Sequence, residues 1–388
     1  MSRRSLKQDK IAKIYDAEIL PLWTRRFARL LLQVVDLPDK PMVLEVGCRT
    51  GHFSLELLRK MGGQGRIIAL ESSGALLDVA RSKAGELSGR RIFFRTEHLT
   101  GKLSFADDVY DLTCSNVGLD EVEAPLETAL EEMVRVTKPG GQVAVTLPLR
   151  GTWEEFLDIY REVLVKRDRD EILAGLEDYE NRHLPDLGQA RRLMVRAGLK
   201  DVGVESQRFG LVFRSAREFF FAPIIDYGPL KGWKDISGKG QEMQDIFWYI
   251  KEAIDSYFSA TPFSVTVVAG CLHGVKPLPD EVLDLDPDAD IEELDDADIE
   301  EAEDLLSEMS PESLGDEDDM DIRTTAPILE KRPAGRPGFL GREALATIPE
   351  TSLDDSDSEV AESFDDDDAP TLRPQFIEGI DDEDDRRS

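Results

Sequence analysis

The sequence predicts an α/β protein in which a mostly parallel sheet carries helices on both faces. Between residues 42 and 148, short apolar runs alternate with segments of helical periodicity. The strands are expected near 42–46, 66–70, 91–95, 111–115 and 142–147, and the helices near 52–61, 73–86 and 124–137. Such alternation is typical of parallel strands joined by crossover helices. Ligands of such sheets bind beyond the carboxyl ends of the strands.

The first predicted strand runs into a turn that suits close contact between backbone and ligand. Glycines stand at both ends of this turn, and a helical pattern begins at His52. Glycine lets backbone N–H groups approach a ligand with no side chain in the way, and the first turn of a helix presents N–H groups without helical partners. The candidate binding residues of this segment are Glu45, Gly47, Cys48 and Gly51.

The second predicted strand ends in an acid, Glu71, which stands twenty positions after Gly51. A carboxylate at this place can accept two hydrogen bonds from a ribose diol. The glycine spacing lacks the middle glycine of the dinucleotide pattern, which is replaced here by Arg49. A carboxylate at Glu45 would also repel a diphosphate, whereas it suits a cationic ligand. The residues therefore favour S-adenosylmethionine, with its ammonium and sulfonium, over NAD.

Four segments in the same order strengthen this interpretation. Residues 45–51 resemble the first motif of the class I S-adenosylmethionine-dependent methyltransferases, and residues 103–112, 115–116 and 134–141 resemble the stretches around the fourth and fifth strands of that family. Within that family, these motifs are most similar to those of the small-molecule methyltransferases of biotin and quinone synthesis. The resemblance covers roughly residues 10–275. It implies a Rossmann-like, seven-stranded, mostly parallel sheet with an antiparallel last strand, and S-adenosylmethionine as cofactor.

The resemblance also implies roles for the acids and the glycine turn. Glu45 would receive the methionine ammonium, directly or through water. The backbone of residues 47–51 would pass close to the cofactor. Glu71 would hold both ribose hydroxyls, with Ser72 at the ribose edge, although a strand-end acid of this kind can also be simply exposed.

Three further residues are assigned in the same way. Glu97 matches the position at which the family places a polar residue on the adenine amino group. Asn116 follows the fourth strand beside the methyl sulfonium, where it either orients cofactor or substrate or caps the loop. Tyr15, on an N-terminal helix, either lies near the cofactor or packs on the sheet. The side chain of Arg49 is expected to point away from the ligand.

No catalytic residue can be singled out. Methyl transfer does not require a general base, because positioning of the reactants supplies much of the rate. The chain has no N-P-P-Y-like motif, which argues against methylation of nucleic-acid bases. The sequence therefore predicts a methyltransferase for a small or apolar acceptor. The alternatives are a catalytically silent methyltransferase-like module that acts through its tail, and a nicotinamide-dependent oxidoreductase on a similar sheet.

The predicted organisation has three parts. Residues 1–40 form a helical segment over the cofactor site, and residues 41–275 form the methyltransferase domain. Within this domain, 151–184 is a charged helical insertion of the lid type, and 214–258 is rich in aromatic residues that belong either to the core or to an apolar substrate pocket. The acidic tail, 276–388, completes the chain.

The tail differs in charge from residues 1–275, which are called the body of the chain below. Of the net charge of −33, residues 276–388 account for nearly all, with 40 acidic against 9 basic residues. Such a segment cannot bury enough apolar surface to offset its ordering entropy, so it is expected to be disordered, as an arm for a protein partner or as a solubility tail. The nearly neutral body has no long basic stripe, which argues against nucleic-acid binding.

The remaining composition excludes several classes of site. Three cysteines without a C-x-x-C pair and four histidines without ligand spacing predict neither a disulfide nor a metal site. There is no apolar run of about 18 residues and no signal-peptide pattern at the N-terminus. A cytoplasmic protein without a membrane span is therefore expected.

Overall fold

The computed structural model describes residues 6–119 and 124–281, and within them seven strands form one sheet. The strands are β1 (Met42–Val46), β2 (Arg66–Glu71), β3 (Ile92–Thr96), β4 (Tyr110–Asn116), β5 (Thr137–Pro148), β6 (Lys200–Phe213) and β7 (Phe263–Val275). Their order is β3-β2-β1-β4-β5-β7-β6. Strands β1 to β5 pair in parallel, and β7 runs antiparallel to both β5 and β6. The predicted fold class, including the antiparallel last strand, is confirmed.

Helices lie on both faces of this sheet. They are α1 (Leu6–Ile14), α2 (Leu20–Leu22), α3 (Thr24–Val34), α4 (His52–Lys60), α5 (Gly74–Ala84), α6 (Leu126–Val136), α7 (Glu154–Lys166), α8 (Asp170–His183), α9 (Leu187–Arg196), α10 (Ala216–Phe221), α11 (Pro223–Asp226), α12 (Leu230–Ile236) and α13 (Gln241–Tyr257). A π-helical turn, Tyr15–Ile19, joins α1 to α2, and a short 3₁₀ turn, Gly85–Leu87, follows α5.

Two apolar layers hold the helices to the sheet, and β1 shows how the sequence supplies both. Successive side chains of a strand point to opposite faces. Val43 accordingly joins the layer that contains Phe27 and Leu57, from α3 and α4, whereas Leu44 joins the layer that contains Leu130 from α6. Both strand residues are fully buried. The apolar run of β1 is therefore continuous because each face of the strand has its own helical cover.

Strand β5 begins earlier than the sequence predicts. The sequence predicts this strand near 142–147, but Thr137 already pairs with Tyr110 of β4. An irregularity follows, and regular pairing resumes between Leu112 and Gln142. Both glycines of this segment, Gly140 and Gly141, lie within the irregular part of β5, and Gly140 has a φ of 77° there.

The aromatic residues of segment 214–258 pack against one another and against the insertion, 151–184. Trp233 is fully buried, and its ring lies 4.2 Å from that of Phe156 and 6.3 Å from that of Phe219. Phe220 is buried as well, whereas Phe221 is 47% exposed, so the three consecutive rings do not share one direction. The buried rings belong to the same apolar layer as Phe27 of α3, which favours the core interpretation for them.

The start of the predicted tail is tied to the domain. The ammonium of Lys276 donates hydrogen bonds to the carbonyls of Val134 and Thr137 and forms an ion pair with Asp108. Lys200 of β6 pairs with Glu281. The remainder of the tail, with the predicted disorder, lies outside the described residues. Among the residues that are described, no helix has the length and apolar character needed to cross a bilayer.

Candidate functional site

The turn after β1 is held in place by a close approach of two backbones. Gly47 has a φ of 72°, and a Cβ atom placed on it would lie 2.5 Å from the carbonyl oxygen of Gly118, in the loop after β4. A Cβ atom on Gly118 would in turn lie 2.6 Å from the carbonyl oxygen of Gly47. Only glycine fits at either position, because any side chain would push the two loops apart. The turn is therefore fixed between β1 and β4.

A cavity of about 170 Å³ opens beside this turn, beyond the carboxyl ends of β1, β2 and β3. This is the edge of the sheet at which a parallel α/β fold is expected to bind its ligand. The residues that line the cavity are Val46, Gly47, Arg49, Leu70, Glu71, Ser72, Glu97, His98, Leu99, Leu103 and Gly118. Four of the predicted site residues, namely Gly47, Glu71, Ser72 and Glu97, are among them.

Glu71 lies at the end of β2 and is 3% exposed. Its Oε2 accepts a hydrogen bond from the backbone N–H of Arg49 at 3.1 Å, and its Oε1 accepts from the N–H of Ser73 at 2.9 Å and from the hydroxyl of Ser72 at 3.2 Å. A carboxylate offers about four acceptor sites, so one remains for a ligand hydroxyl in this arrangement. A second acceptor site on the Glu71 carboxylate becomes available when the hydroxyl of Ser72 rotates away.

Glu97 follows β3, and its backbone N–H donates to the carbonyl of Glu71 at 3.2 Å. Its carboxylate accepts from the N–H and the hydroxyl of Ser104, both at 2.8 Å, and pairs with Arg95 at 3.2 Å. These contacts fix the direction of the side chain at the cavity wall and leave one acceptor site on Oε1.

Glu45 and Cys48 do not line the cavity. Glu45 is buried between β1 and α4, where it accepts a hydrogen bond from the hydroxyl of Ser54. Burial raises the pKa of Glu45 to about 7, the bond from Ser54 opposes this rise, and the charge of Glu71 adds to it. The Cys48 thiol is buried as well, and burial raises its pKa well above the usual value. Gly51, with a φ of 74°, lies at the start of α4 and packs on Ala80.

Asn116 and Tyr15 connect the N-terminal helices to the sheet. The amide of Asn116 donates to the carbonyl of Thr24 at 3.0 Å and accepts from the hydroxyl of Thr146 at 2.9 Å. The hydroxyls of Tyr15 and Thr24 lie 2.7 Å apart. The Tyr15 ring centre is 6.0 Å from the Arg49 guanidinium carbon. These residues form a polar chain from the N-terminal segment to the ends of β4 and β5.

Arg49 stands in the middle of the turn, between Gly47 and Gly51. It is among the residues that line the cavity and is 4% exposed, and the direction of its side chain relative to the ligand stays a prediction. Its φ of 51° lies in the left-handed region, and its Nη2 donates to the carbonyl of Val117 at 3.2 Å.

Some of the lining residues are not predicted from the sequence. Leu99 and Leu103 are buried, and His98 stands beside them. They lie in the irregular loop between β3 and β4, where no periodicity indicates which side chains turn inward. Gly118 could be recognised from the sequence as a candidate, because it is a glycine two positions after the end of a strand.

Comparison with known proteins places the cavity within a recognised domain. A family model described as a methyltransferase domain matches residues 43–141. The demethylmenaquinone methyltransferase of Renibacterium salmoninarum is 31% identical over 179 residues, which are 43% of this chain and 71% of that protein. The enzyme of the same name from Staphylococcus epidermidis is 25% identical over 213 residues, or 52% and 84% of the two chains. The YcgJ protein of Bacillus subtilis aligns in structure with a TM-score of 0.42 at 15% identity, over 66% of this chain and 99% of that one.

Proposed function

Because the chain belongs to the class I S-adenosylmethionine-dependent methyltransferases, we propose that it transfers a methyl group to a small, largely apolar acceptor of the demethylmenaquinone type. The observation that supports this most is the cavity at the ends of β1 and β2, where Glu71 accepts a hydrogen bond from the turn that begins at Gly47. The acceptor class is suggested by the names of the quinone-methylating relatives.

The residues of the cavity suit the nucleoside part of the cofactor. Glu71 keeps an acceptor site for a ribose hydroxyl, and Glu97 keeps one for an amino group. Leu70, Leu99 and Leu103 offer apolar surface to a flat base. Ligand pockets usually measure about 300 Å³ or more. At about 170 Å³, the cavity is smaller than such a pocket.

When bound, the cofactor supplies a methyl group on a sulfonium, which is a good leaving group. The chain then has to hold the acceptor in line, since orientation alone can supply a large part of the rate. We assign this positioning to the end of β4, where Asn116 is fixed by Thr24 and Thr146. Trp23 precedes Thr24 directly, is half-buried and stacks on Trp153 at 5.5 Å, so apolar surface adjoins that place.

The proposal is tested by calorimetry and by methyl transfer. We expect the protein to bind S-adenosylhomocysteine and to move a labelled methyl group from S-adenosylmethionine to a short-chain demethylmenaquinol. Glu71→Gln should weaken binding, because its amide nitrogen cannot accept the N–H of Arg49 or Ser73. Glu205→Gln is the control, since Glu205 is an exposed residue of β6 far from the cavity in sequence.

The results separate the proposal from its alternatives. Absence of binding would remove the proposed cofactor, and a titration with NADH would then test a nicotinamide enzyme. Tight binding without turnover across a broad panel of acceptors would instead favour a catalytically silent module.

We also propose the predicted organisation as the functional one. Residues 1–40 cover the cofactor site, residues 41–275 carry catalysis, and the acidic residues 276–388 serve as an arm for a protein partner. A chain that ends at residue 281 keeps the contacts of Lys276 and Glu281. This truncated chain should bind S-adenosylhomocysteine as the full chain does, and a weaker affinity would contradict a separate role for the tail.

A further inference from the structure

We infer that one face of α9, here called the arginine face, binds the first part of the acidic tail, residues 282–304, within the same chain. The arginine face is formed by Arg191, Arg192 and Arg196. Glu281 is the last residue before this segment, and its carboxylate lies 2.6 Å from the ammonium of Lys200, which follows α9. Its Oε2 also accepts the backbone N–H of Leu278 at 2.9 Å. The segment therefore starts from a carboxylate that is already held by a cation.

Two of the arginines lie on the outer side of α9. Ala190 and Met194 are fully buried, in the apolar layer that also contains Leu130 of α6. Because an α-helix has 3.6 residues per turn, Arg192 and Arg196 lie one turn apart on the side opposite these two residues. Their guanidinium groups are therefore available to a segment that approaches from solvent.

The arginine face has no acidic partner in the part of the chain that the structure describes. No carboxylate there forms an ion pair with Arg192 or Arg196. Arg191 donates its Nη1 to a neutral group, the carbonyl of Val202, at 3.1 Å, and this bond connects α9 to the start of β6. A carboxylate that approaches this face therefore displaces no existing ion pair.

The first part of the tail supplies negative charge over a matching length. Residues 282–304 contain 13 acidic residues and no lysine or arginine. The cations Arg192, Arg196 and Lys200 lie within roughly 20 Å, because a helix rises about 1.5 Å per residue and any chain spans at most about 3.6 Å per residue. Six or so extended residues cover that distance, and from Asp284 to Asp290 every second residue is an aspartate.

The covalent connection makes a weak attraction sufficient. Exposed ion pairs are weak one by one, and salt screens them. A segment that is tethered beside its binding surface has an effective concentration of about millimolar order, so a dissociation constant of about 1 mM already gives substantial binding. We expect the segment to bind at low ionic strength and to be released as the salt concentration rises.

The arginine face lies away from the cavity. Strands β5 and β6 both run antiparallel to β7, so they are parallel to each other and to β1. Lys200 begins β6 and therefore lies at the amino-end edge of the sheet, whereas the cavity lies beyond the carboxyl ends of β1, β2 and β3. Binding of the tail to α9 is thus compatible with an unchanged affinity for the cofactor.

The test is digestion of the full chain by a protease that cleaves after acidic residues, followed by mass spectrometry. The cleavage rate within 284–304 is divided by the rate within 354–368, a similarly acidic part of the tail, so that effects of salt on the protease cancel. At low salt, Arg192→Gln/Arg196→Gln should raise this ratio about threefold, as expected for an effective concentration of about twice the dissociation constant. About 0.5 M salt should raise the ratio of the unaltered protein equally and remove the difference.

Lys231→Gln/Lys239→Gln is the matched control. It removes two exposed positive charges from the part of the chain around α12, where Trp233 belongs to the other apolar layer, and neither lysine has an ion pair among the described residues. A ratio that neither the α9 variant nor salt changes would overturn the inference, and so would an equal rise in the control. A ratio that falls as the protein concentration rises would show binding to a second copy and would overturn the assignment within one chain. Urea unfolding of both variants shows that the compared proteins are equally folded.

Discussion

A single methyl group added at Gly47 measures how strongly the stability of the fold depends on the close approach of the loops after β1 and β4. In Gly47→Ala, the new Cβ atom would lie 2.5 Å from the carbonyl oxygen of Gly118. The φ of 72° costs alanine about 1–2 kcal/mol. The forced separation of the two loops adds about 1–3 kcal/mol, as in other overpacked sites. We therefore expect the free energy of unfolding to fall by about 2–5 kcal/mol in total.

Gly63→Ala provides a matched control for this substitution. Gly63 has a nearly identical φ of 70°, but a Cβ atom on it meets nothing within 4 Å. It should therefore lose only the backbone part, about 1–2 kcal/mol. Urea unfolding of both variants measures the difference, and calorimetry with S-adenosylhomocysteine should show weakened binding for Gly47→Ala alone. Equal losses of stability in the two variants would refute the argument from close approach.

Three further outcomes follow from buried polar groups. Burial raises the folded-state pKa of Glu45 from 4.5 to about 7, so the folded protein holds a proton that the unfolded chain has lost, and stability falls as the pH rises through this range. Glu45→Gln should remove this part of the pH dependence, about 3 kcal/mol between pH 4.5 and 8 in urea unfolding, and parallel curves would contradict the assignment. Asn116→Ala should cost about 1–3 kcal/mol, because Thr24 and Thr146 lose buried partners, and a melt without change would be evidence against the polar chain. Tyr15→Phe should cost about 1 kcal/mol or less, since it removes one partly buried bond to Thr24.

The sequence determined the order of strands and helices, because hydrophobic periodicity is a local property. Strands β1, β2 and β4 lie within one or two residues of their predicted bounds. The spacing of the glycines and of Glu71 was equally readable, since a strand end is fixed by the same local pattern. The placement of Glu71 and Glu97 at one cavity follows from these strand ends, as the carboxyl ends of parallel strands meet at one edge of the sheet.

The directions of single side chains were not readable in the same way. The sequence allows the aromatic residues of 214–258 to belong either to the core or to a substrate pocket, and the structure packs Trp233 and Phe219 into the core. The early start of β5 depends on the pairing of Thr137 with Tyr110, which is distant in sequence. The bond between Asn116 and Thr24 joins residues 92 positions apart.

Glu45 and Arg49 show most clearly the difference between what the sequence predicts and what the tertiary structure decides. Their residue types and spacing, read alone, predict an acid toward the ligand and an arginine away from it. In the folded chain the Glu45 carboxylate accepts a hydrogen bond from Ser54 on α4, and the Arg49 guanidinium donates to the carbonyl of Val117 in the loop after β4. Each direction is set by a hydrogen-bonding partner that another element supplies, because a buried polar group without a partner is costly. Local sequence therefore predicted the edge of the sheet at which the cavity lies, and tertiary packing decided which residues line it.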